Sequence, residues 1–135
     1  MILVDSNVLL DVVTRDNDWW NWSLQQLEAA TASGSLLVND VIYAEVSVRY
    51  QRIDDLEAML AGFGIVLTPM PRVALFRAAK AFVKYRGSGG VRTSVLPDFF
   101  IGAHAEADGL PLLTRDTRRY RSYFPSVRLI APDRG

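Results

Sequence analysis

Cysteine is absent from the sequence, and histidine occurs only once. Without cysteine the chain can form no disulfide, no thiolate nucleophile and no metal site with cysteine ligands, so oxygen atoms are the main route to a bound metal. The single histidine, His104, argues against catalysis by a pair of histidines, and we interpret it as a packing or surface residue. The lack of thiols also fits a reducing compartment.

The chain has no net charge and no long hydrophobic segment. Its 15 lysines and arginines balance 15 aspartates and glutamates, so any binding of nucleic acid must depend on local patches. The early apolar run from Met1 to Val4 ends at Asp5. Neither a signal-peptide core nor a membrane-spanning helix of about 20 residues can be placed. We therefore expect a soluble, cytoplasmic protein.

The chain length of 135 residues, half of them hydrophobic, is sufficient for one domain. A chain of this size buries roughly two-thirds of its unfolded surface. We predict a single domain over residues 1–135, without internal repeats. Three glycines within residues 87–90 predict the most flexible segment, because glycine loses more conformational freedom on ordering than other residues do.

Short apolar runs alternate with longer segments of helical spacing. The runs predict buried strands at Ile2–Val4, Leu36–Val38, Ile65–Leu67, Leu112–Leu113 and Leu129–Ile130. The longer segments predict helices at Trp19–Ala32, Val41–Tyr50, Leu56–Phe63, Val73–Tyr85 and Asp98–Ala107, with Asn39 or Asp40 as an N-cap and Pro97 at a first helical position. Such alternation predicts an α/β fold with a parallel sheet that is covered by helices on both faces.

Two acidic residues follow predicted strands at the edge where α/β folds bind ligands. Asp5 comes directly after the first strand, and Asp116 follows Leu112–Leu113 after Thr114 and Arg115. Ligands in open α/β sheets gather outside the carboxyl ends of the strands. Both carboxylates can therefore project into one crevice if these two strands are neighbours.

Two further acids lie among apolar residues of predicted helices. Glu45 is the only charged residue between Val41 and Val48, and Asp98 precedes Phe99. A carboxylate in such surroundings needs a partner. Taken singly, each of the four acids has an ordinary interpretation: a turn residue, a helix N-terminal acid, or, for Glu45, an ion pair with Arg49.

Taken together, the four acids indicate a metal site. Two unit charges about 4 Å apart repel by roughly 4 kcal/mol at an effective dielectric constant near 20. A convergent cluster therefore needs cations or bound protons. Hard oxygen ligands favour Mg²⁺ or Mn²⁺, which can generate a hydroxide nucleophile and neutralise a phosphodiester.

Four segments resemble the successive motifs of PIN domains, in the same order and with the same spacing. They are residues 1–7 (MILVDSN), Glu45, residues 96–105 (LPDFFIGAHA) and residues 112–116 (LLTRD). The resemblance spans nearly the whole chain and is closest to the VapC toxins of bacterial toxin–antitoxin pairs. It implies a three-layer α/β/α sandwich with a central parallel sheet of about five strands.

The resemblance also implies an activity and its residues. We expect a ribonuclease that uses Mg²⁺ or Mn²⁺ to cleave RNA, forms a homodimer and is inhibited by a cognate VapB-type antitoxin. The acidic quartet of the family corresponds to Asp5, Glu45, Asp98 and Asp116 as catalytic residues and metal ligands. Its supporting polar positions correspond to Asn7 and Thr114.

Arginines and tyrosines surround the last acid of the quartet. Arg115, Arg118 and Arg119, with Tyr120 and Tyr123 interleaved, could hold phosphates and stack bases, and we take these three arginines as candidate RNA-binding residues. The alternative is a solvated loop.

The three tryptophans and two further acids have simpler interpretations. Trp19, Trp20 and Trp22 are at a spacing more often found in a core, although they could also mark a groove for a partner. Asp11 and Asp108 are expected to be exposed acids of a helix or a turn.

Three competing functions share parts of this pattern. A response-regulator receiver domain requires an aspartate after the third strand and a later lysine, whereas Ile65–Leu67 leads into Thr68 and Pro69 and no lysine follows Leu113. Phosphatases of the haloacid-dehalogenase type require a second aspartate two residues after the first, where this chain has Asn7. A catalytically silent PIN-like module that only binds RNA or protein is the third, and the complete quartet argues against it.

Overall fold

The computed structural model describes residues 1–93 and 95–132. In this part of the chain, five strands alternate with seven helices. The order is β1 (Ile2–Val4), α1 (Ser6–Thr14), α2 (Trp20–Ser33), β2 (Leu36–Val38), α3 (Asp40–Ser47), α4 (Ile53–Gly62), β3 (Ile65–Leu67), α5 (Arg72–Gly87), α6 (Pro97–Asp108), β4 (Leu112–Leu113), α7 (Arg118–Tyr123) and β5 (Leu129–Ile130).

All five strands pair in parallel, in the order β3-β2-β1-β4-β5. Leu3 of the central strand lies opposite Leu37 on one side and Leu112 on the other. Every residue of β1, β2 and β4 is buried, as expected for a parallel sheet with helices on both faces. The connections run in one direction from β1 to β3 and then return to the other side of β1. The carboxyl ends of β1 and β4 therefore form a topological switch point, where α/β folds bind ligands.

The predicted α/β class and all five predicted strands are confirmed, and the strand bounds agree. Asn39 caps α3 as predicted, because its Oδ1 accepts the N–H of Ile42 at 2.9 Å. Pro97 is at the start of α6, and Gly109 ends that helix in the left-handed conformation. Among the described helices, none is long and apolar enough to cross a membrane.

Two helices, α1 and α7, were not predicted from the sequence. The first has nine residues, four of them β-branched, and it begins two residues after a strand, so helical periodicity has little room to show. The second has six residues, three of which are arginines, and this composition is also typical of a solvated loop.

Helix α6 carries Asp98 and lies at the centre of the helical packing, in contact with α3, α5 and α7. Phe99 and residues 101–105 are buried, so most of the helix circumference is in the core. Gly102 permits this close approach, because a Cβ at that position would overlap the ring of Phe124. The position of Asp98 therefore depends on how closely α6 packs against the segment that follows α7.

We predict that Gly102→Ala lowers the free energy of unfolding by about 1–3 kcal/mol, the usual cost of forcing an extra methyl group into a packed core. Gly62→Ala is the matched control, because nothing lies within 4 Å of a Cβ there. The control should be neutral or stabilising by up to about 1 kcal/mol. Urea unfolding of both variants measures the difference, and equal stabilities would show that α6 does not need glycine at position 102.

Candidate active site

Asp5 directly follows β1 at the switch point and is only 3% exposed. Its backbone N–H donates to the carbonyl of Leu113 at 2.9 Å and so joins the ends of β1 and β4. Its Oδ1 accepts the N–H of Ser6 at 2.7 Å and caps α1. Two strand ends and a helix start therefore hold this carboxylate at the carboxyl edge of the sheet.

The second carboxylate oxygen of Asp5 accepts three hydrogen bonds. Its Oδ2 receives the hydroxyl of Tyr120 at 2.7 Å, the hydroxyl of Thr114 at 2.9 Å and Nδ2 of Asn7 at 3.3 Å. Asn7 Nδ2 also donates to Thr114 Oγ1 at 3.1 Å. The structure therefore brings both supporting residues, Asn7 and Thr114, onto Asp5.

Two residues of the site were not identified from the sequence: Ser6, which contacts Asp5 and Glu45, and Tyr120. For Tyr120 we considered base stacking or a solvated loop, yet it is buried and its hydroxyl reaches Asp5 from α7. The available signal was its spacing from Phe124: two aromatic residues four apart in a polar segment share one helix face. Both side chains face the core, and that burial directs the Tyr120 hydroxyl to the carboxylate.

Burial and neighbouring charges shift the ionisation of this pair. Burial raises the pKa of Asp5 from 3.8 to about 6, hydrogen bonds from Tyr120 and Thr114 oppose the shift, and the charges of Asp98 and Glu45 add to it. Burial, followed by the charge of Asp5, raises the pKa of Tyr120 well above its usual value of 10.0. The phenol therefore remains a proton donor to Asp5 at neutral pH.

Glu45 and Asp98 approach Asp5 from two helices. The hydroxyl of Ser6 donates to Glu45 Oε1 at 2.7 Å, and no ion pair between Glu45 and Arg49 forms among the described residues. Burial and then the charge of Asp98 raise the pKa of Glu45. Burial also raises the pKa of Asp98, against the opposing effect of Arg119. The first three acids of the quartet therefore share one electrostatic environment.

Asp116 completes the cluster from the loop after β4. Its side chain is exposed, and its charge contributes to the raised pKa of Asp98. Its backbone N–H donates to Thr114 Oγ1 at 3.1 Å, so the loop is anchored on the same hydroxyl that serves Asp5. A cavity of about 380 Å³ opens between Asp98, Asp116 and Tyr123.

The chemistry of these donors fits a hydrated Mg²⁺ or Mn²⁺ ion. All are hard carboxylate oxygens, and the pKa values of Asp5, Glu45 and Asp98 are raised first by burial and then by the charges of neighbouring acids. Within residues 1–93 and 95–132, no three acidic or histidine side chains converge tightly enough to enclose an ion. Mg²⁺ keeps several water molecules and uses one or two protein carboxylates, so it does not need such a cage.

Arg115 forms a largely buried ion pair instead of facing open solvent. Its Nε donates to Asp11 Oδ2 at 2.7 Å, its Nη2 donates to Asp11 Oδ1 at 3.0 Å, and its guanidinium lies 5.4 Å from the ring centre of Trp19. The hydroxyl of Ser23 also donates to Asp11 at 2.7 Å. The expectation that Asp11 is exposed was therefore wrong: it is 2% exposed, because these donors satisfy it inside the protein.

The two other candidate RNA-binding arginines lie nearer the cavity. Arg119 donates from Nη1 to Asp98 Oδ2 at 3.2 Å, and Arg118 is exposed. Among the described residues, Arg118 forms no ion pair. The guanidinium of Arg115 is already bound by Asp11, whereas Arg118 and Arg119 line the cavity.

His104 is fully buried, which confirms the packing interpretation. Its Nδ1 lies 3.1 Å from Nδ2 of Asn39, and its Nε2 lies 3.0 Å from Oδ2 of Asp108. Asp108 is exposed, as expected, although it also serves this ring. The histidine therefore connects the start of α3 with the end of α6.

The three tryptophans are all partly buried at the start of α2. Trp22 packs against the core, and Trp19 meets it edge to face at 5.9 Å between ring centres. Arg15 lies 5.8 Å from the ring centre of Trp20. The surface around α2 therefore combines indole rings with arginines.

Fold and site together define a class of α/β proteins with an all-parallel five-stranded sheet and a cluster of acids at the switch point. A family model described as "PIN domain" matches residues 2–125. The chain belongs to the PIN domain family.

Solved structures of toxin–antitoxin complexes share the fold. VapBC2 from Rickettsia felis, bound to a DNA fragment from its promoter, is similar at a TM-score of 0.74 and 16% identity, over 98% of this chain and 100% of the other. DNA-bound VapBC from Salmonella typhimurium is similar at a TM-score of 0.69 and 14% identity, over 97% of this chain and 98% of the other. A toxin–antitoxin complex from Klebsiella pneumoniae is similar at a TM-score of 0.66 and 21% identity, over 94% of this chain and 95% of the other. A search of curated proteins gives no significant match.

Acidification should stabilise the metal-free protein. The pKa of Asp5 is about 6 in the folded chain, against 3.8 for the ordinary side chain. Because the folded state then binds a proton that the unfolded state does not, the free energy of unfolding rises as the pH falls through the folded-state pKa. Between about pH 7 and about pH 5, this one group should add about 1 kcal/mol.

The measurement is urea unfolding of wild type and Asp5→Asn in chelator at both pH values. The gain should be smaller in the variant, because the amide that replaces the carboxyl group does not titrate. An equal gain in both proteins would show that Asp5 is not the group responsible.

We predict that Arg115→Ala destabilises the fold by about 3 kcal/mol, since it leaves the buried carboxylate of Asp11 without its cation. Arg118→Ala is the matched control and should change stability by less than about 0.5 kcal/mol, because that side chain is exposed. Thermal melts of both variants test the difference. Equal, small losses of stability in both variants would show that Arg115 behaves as a solvent-exposed arginine.

Proposed function

We propose that this PIN-domain chain is a metal-dependent endoribonuclease that hydrolyses RNA phosphodiester bonds, and that it is the toxin of a VapBC-type toxin–antitoxin pair. The observation that carries the proposal is the gathering of four carboxylates at the switch point of the sheet. Three of them have raised pKa values, and each of the three feels the charge of at least one other acid of the quartet. A protein retains such repulsion where it serves a site.

In this proposal, Asp5, Glu45, Asp98 and Asp116 hold one or more Mg²⁺ or Mn²⁺ ions. A divalent ion bound there would neutralise charge on the phosphodiester and lower the pKa of a water molecule. Tyr120, Thr114 and Asn7 orient the carboxylate of Asp5 by donating to its Oδ2. The Ser6 hydroxyl orients Glu45 in the same way.

The arginines at the cavity supply the positive charge that binding of RNA requires. Arg118 is exposed beside Asp116, and Arg119 already lies against Asp98. Their guanidinium groups can donate two parallel hydrogen bonds to a phosphate, which fixes both its position and its orientation. The neutral total charge of the chain is consistent with this local arrangement.

A cognate VapB-type antitoxin is the proposed protein partner, since the similar solved structures are toxin–antitoxin complexes. The tryptophan-bearing surface of α2 is the proposed contact. We also propose a homodimer, for which α5 offers an apolar surface: Val73, Phe76 and Val83 share one helix face and are 49%, 63% and 63% exposed.

A catalytically silent module that only binds RNA or protein is the second candidate. The ion pair between Arg119 and Asp98 favours it, because a guanidinium on one of the four acids competes with a bound cation. The pair is partly exposed, with about a third of each side chain accessible to solvent, and such ion pairs contribute roughly 0–1 kcal/mol. A divalent ion can therefore displace it.

We predict that purified wild-type protein cleaves RNA with Mg²⁺ or Mn²⁺, and that chelator stops the cleavage. Asp98→Asn should reduce the rate by more than about a hundredfold, since even an outer partner of a metal ligand is worth about 10- to 100-fold. Circular dichroism should show an intact fold, because the shape of the side chain is nearly unchanged.

Asp55→Asn is the matched control, since Asp55 is an exposed acid on α4 outside the site. Its cleavage rate should equal that of wild type. Wild-type activity in Asp98→Asn would remove Asp98 from the catalytic residues, and RNA binding without cleavage by the wild type would favour the silent module.

We predict that a small protein encoded beside this chain copurifies with it, silences its cleavage of RNA and protects cells that co-express both. Trp20→Ala should weaken the complex without changing cleavage by the free chain, because it alters the contact surface on α2 and leaves the acids in place. If the neighbouring product neither binds nor inhibits, the toxin assignment fails, even where cleavage of RNA is observed.

A further inference from the structure

The cavity between Asp98, Asp116 and Tyr123 is larger and chemically more varied than a metal site requires. Its volume of about 380 Å³ is in the range of small-ligand pockets, roughly 300–1,000 Å³. Two acids, Asp98 and Asp116, are part of its lining. Two tyrosines (Tyr85 and Tyr123), two arginines and Ser122 form the remainder, and neither tyrosine has a part in the metal site.

The two tyrosine rings are fixed from behind by a buried ring. Phe99 is completely buried, and its ring centre lies 5.3 Å from that of Tyr123 and 5.5 Å from that of Tyr85. Both contacts are edge to face, and the two tyrosines are 6.3 Å apart. An aromatic surface that is already ordered can stack a flat ligand without a further loss of side-chain entropy.

The segment after α5 also holds Tyr85 in place. Gly90 lies directly against the Tyr85 ring, and a Cβ at that position would overlap it. The backbone N–H of Arg92 donates to the Tyr85 hydroxyl at 3.3 Å, and that of Gly90 donates to the Tyr85 carbonyl at 2.9 Å. The glycines that we predicted to be flexible thus serve, at Gly90, to let the chain pass close to an aromatic ring.

Positive charge lies between the acids and the tyrosines. The guanidinium of Arg119 is 5.5 Å from the ring centre of Tyr85 and 5.7 Å from that of Phe99, while its Nη1 reaches Asp98. Arg118 lines the same cavity from an exposed position. The cavity offers carboxylates for cations, guanidinium groups for phosphate and aromatic rings for a flat apolar group, and Arg119 contacts Asp98 on one side and Tyr85 on the other.

A nucleotide presents the complementary groups in the same order, because its phosphate and its base are separated by one sugar. We propose that this cavity is a nucleotide subsite, in which Tyr123 stacks the base adjoining the cleaved bond while Arg118 and Arg119 hold a phosphate. The proposal rests on the proposed ribonuclease function. The stacked base must leave its neighbours in the strand, so the subsite makes cleavage sensitive to the base as well as to the backbone.

The test is a double-mutant cycle between one protein side chain and one base. An oligoribonucleotide that the wild type cleaves is synthesised with an abasic sugar at each position in turn. One position beside the cleaved bond should reduce the cleavage rate and the affinity by roughly 5- to 150-fold, the range expected for the loss of one stacked base. Tyr123→Leu should show a similar loss with the intact oligonucleotide and little further loss with the abasic one.

Two variants control for other causes. Tyr123→Phe keeps the ring and should resemble wild type. Tyr50→Leu makes the same change as Tyr123→Leu in a separate hollow near Tyr43, and should keep the wild-type sensitivity to the abasic sugar. Thermal melts identify the temperature at which every variant is folded, and all comparisons are made below it.

Binding is measured separately from cleavage, by fluorescence anisotropy of the labelled oligonucleotide with Mn²⁺ in an Asp5→Asn background. If the wild type cleaves no RNA, the proposed function fails, and the anisotropy cycle then uses a single-stranded oligoribonucleotide that the protein binds, so that it still tests the subsite. Equal tolerance of every abasic position overturns the inference. So does an unchanged abasic penalty in Tyr123→Leu, which is the result expected if the cavity instead takes a side chain of a protein partner.

Discussion

The carboxylate of Asp5 can remain buried at the end of the central strand because donors from separate parts of the chain reach it. Ser6 and Asn7 come from α1, Thr114 from the loop after β4, and Tyr120 from α7. An unpaired charge in that position would cost several kcal/mol. The order of the strands and the packing of α7 are therefore coupled to one side chain. The fold holds the Asp5 carboxylate in place, and the carboxylate in turn favours the arrangement of α1, α7 and the loop after β4 that supplies its hydrogen-bond donors.

The sequence predicted the strands and the acidic residues better than the contacts between distant segments. Apolar runs of two or three residues between polar segments define the five strands, and acids at strand ends or among apolar residues mark the cluster. Asp11 could not be recognised as buried, because its partner Arg115 is 104 residues away. Tyr120 lay in a segment whose arginines masked its packing face. For Asp11, a polar contact between distant segments decides the environment, and local composition contains no information about it. For Tyr120, only the spacing from Phe124 indicated a buried face, and the contact with Asp5 is again between distant segments.

Charge is compensated unevenly across the site. Arg115 neutralises Asp11 with two hydrogen bonds. Arg119 compensates Asp98 with a single, partly exposed contact, and Glu45 receives only a hydroxyl. Among the described residues, the strong ion pair lies outside the acidic cluster, and the one ion pair within the cluster is weak. The loop after β4 is therefore anchored by a strong ion pair, whereas the acids of the cluster have fewer charged partners.

The hydrogen bonds through the ring of His104 can run in one direction only. Oδ1 of Asn39 is already engaged by the N–H of Ile42, so its Nδ2 must face the ring and donate to Nδ1. The ring then carries its hydrogen on Nε2 and gives it to Asp108. This fixed tautomer links α3, which carries Glu45, to α6, which carries Asp98. The two helices are thereby joined by a hydrogen bond between two fully buried side chains, a joint in which none of the four acids takes part.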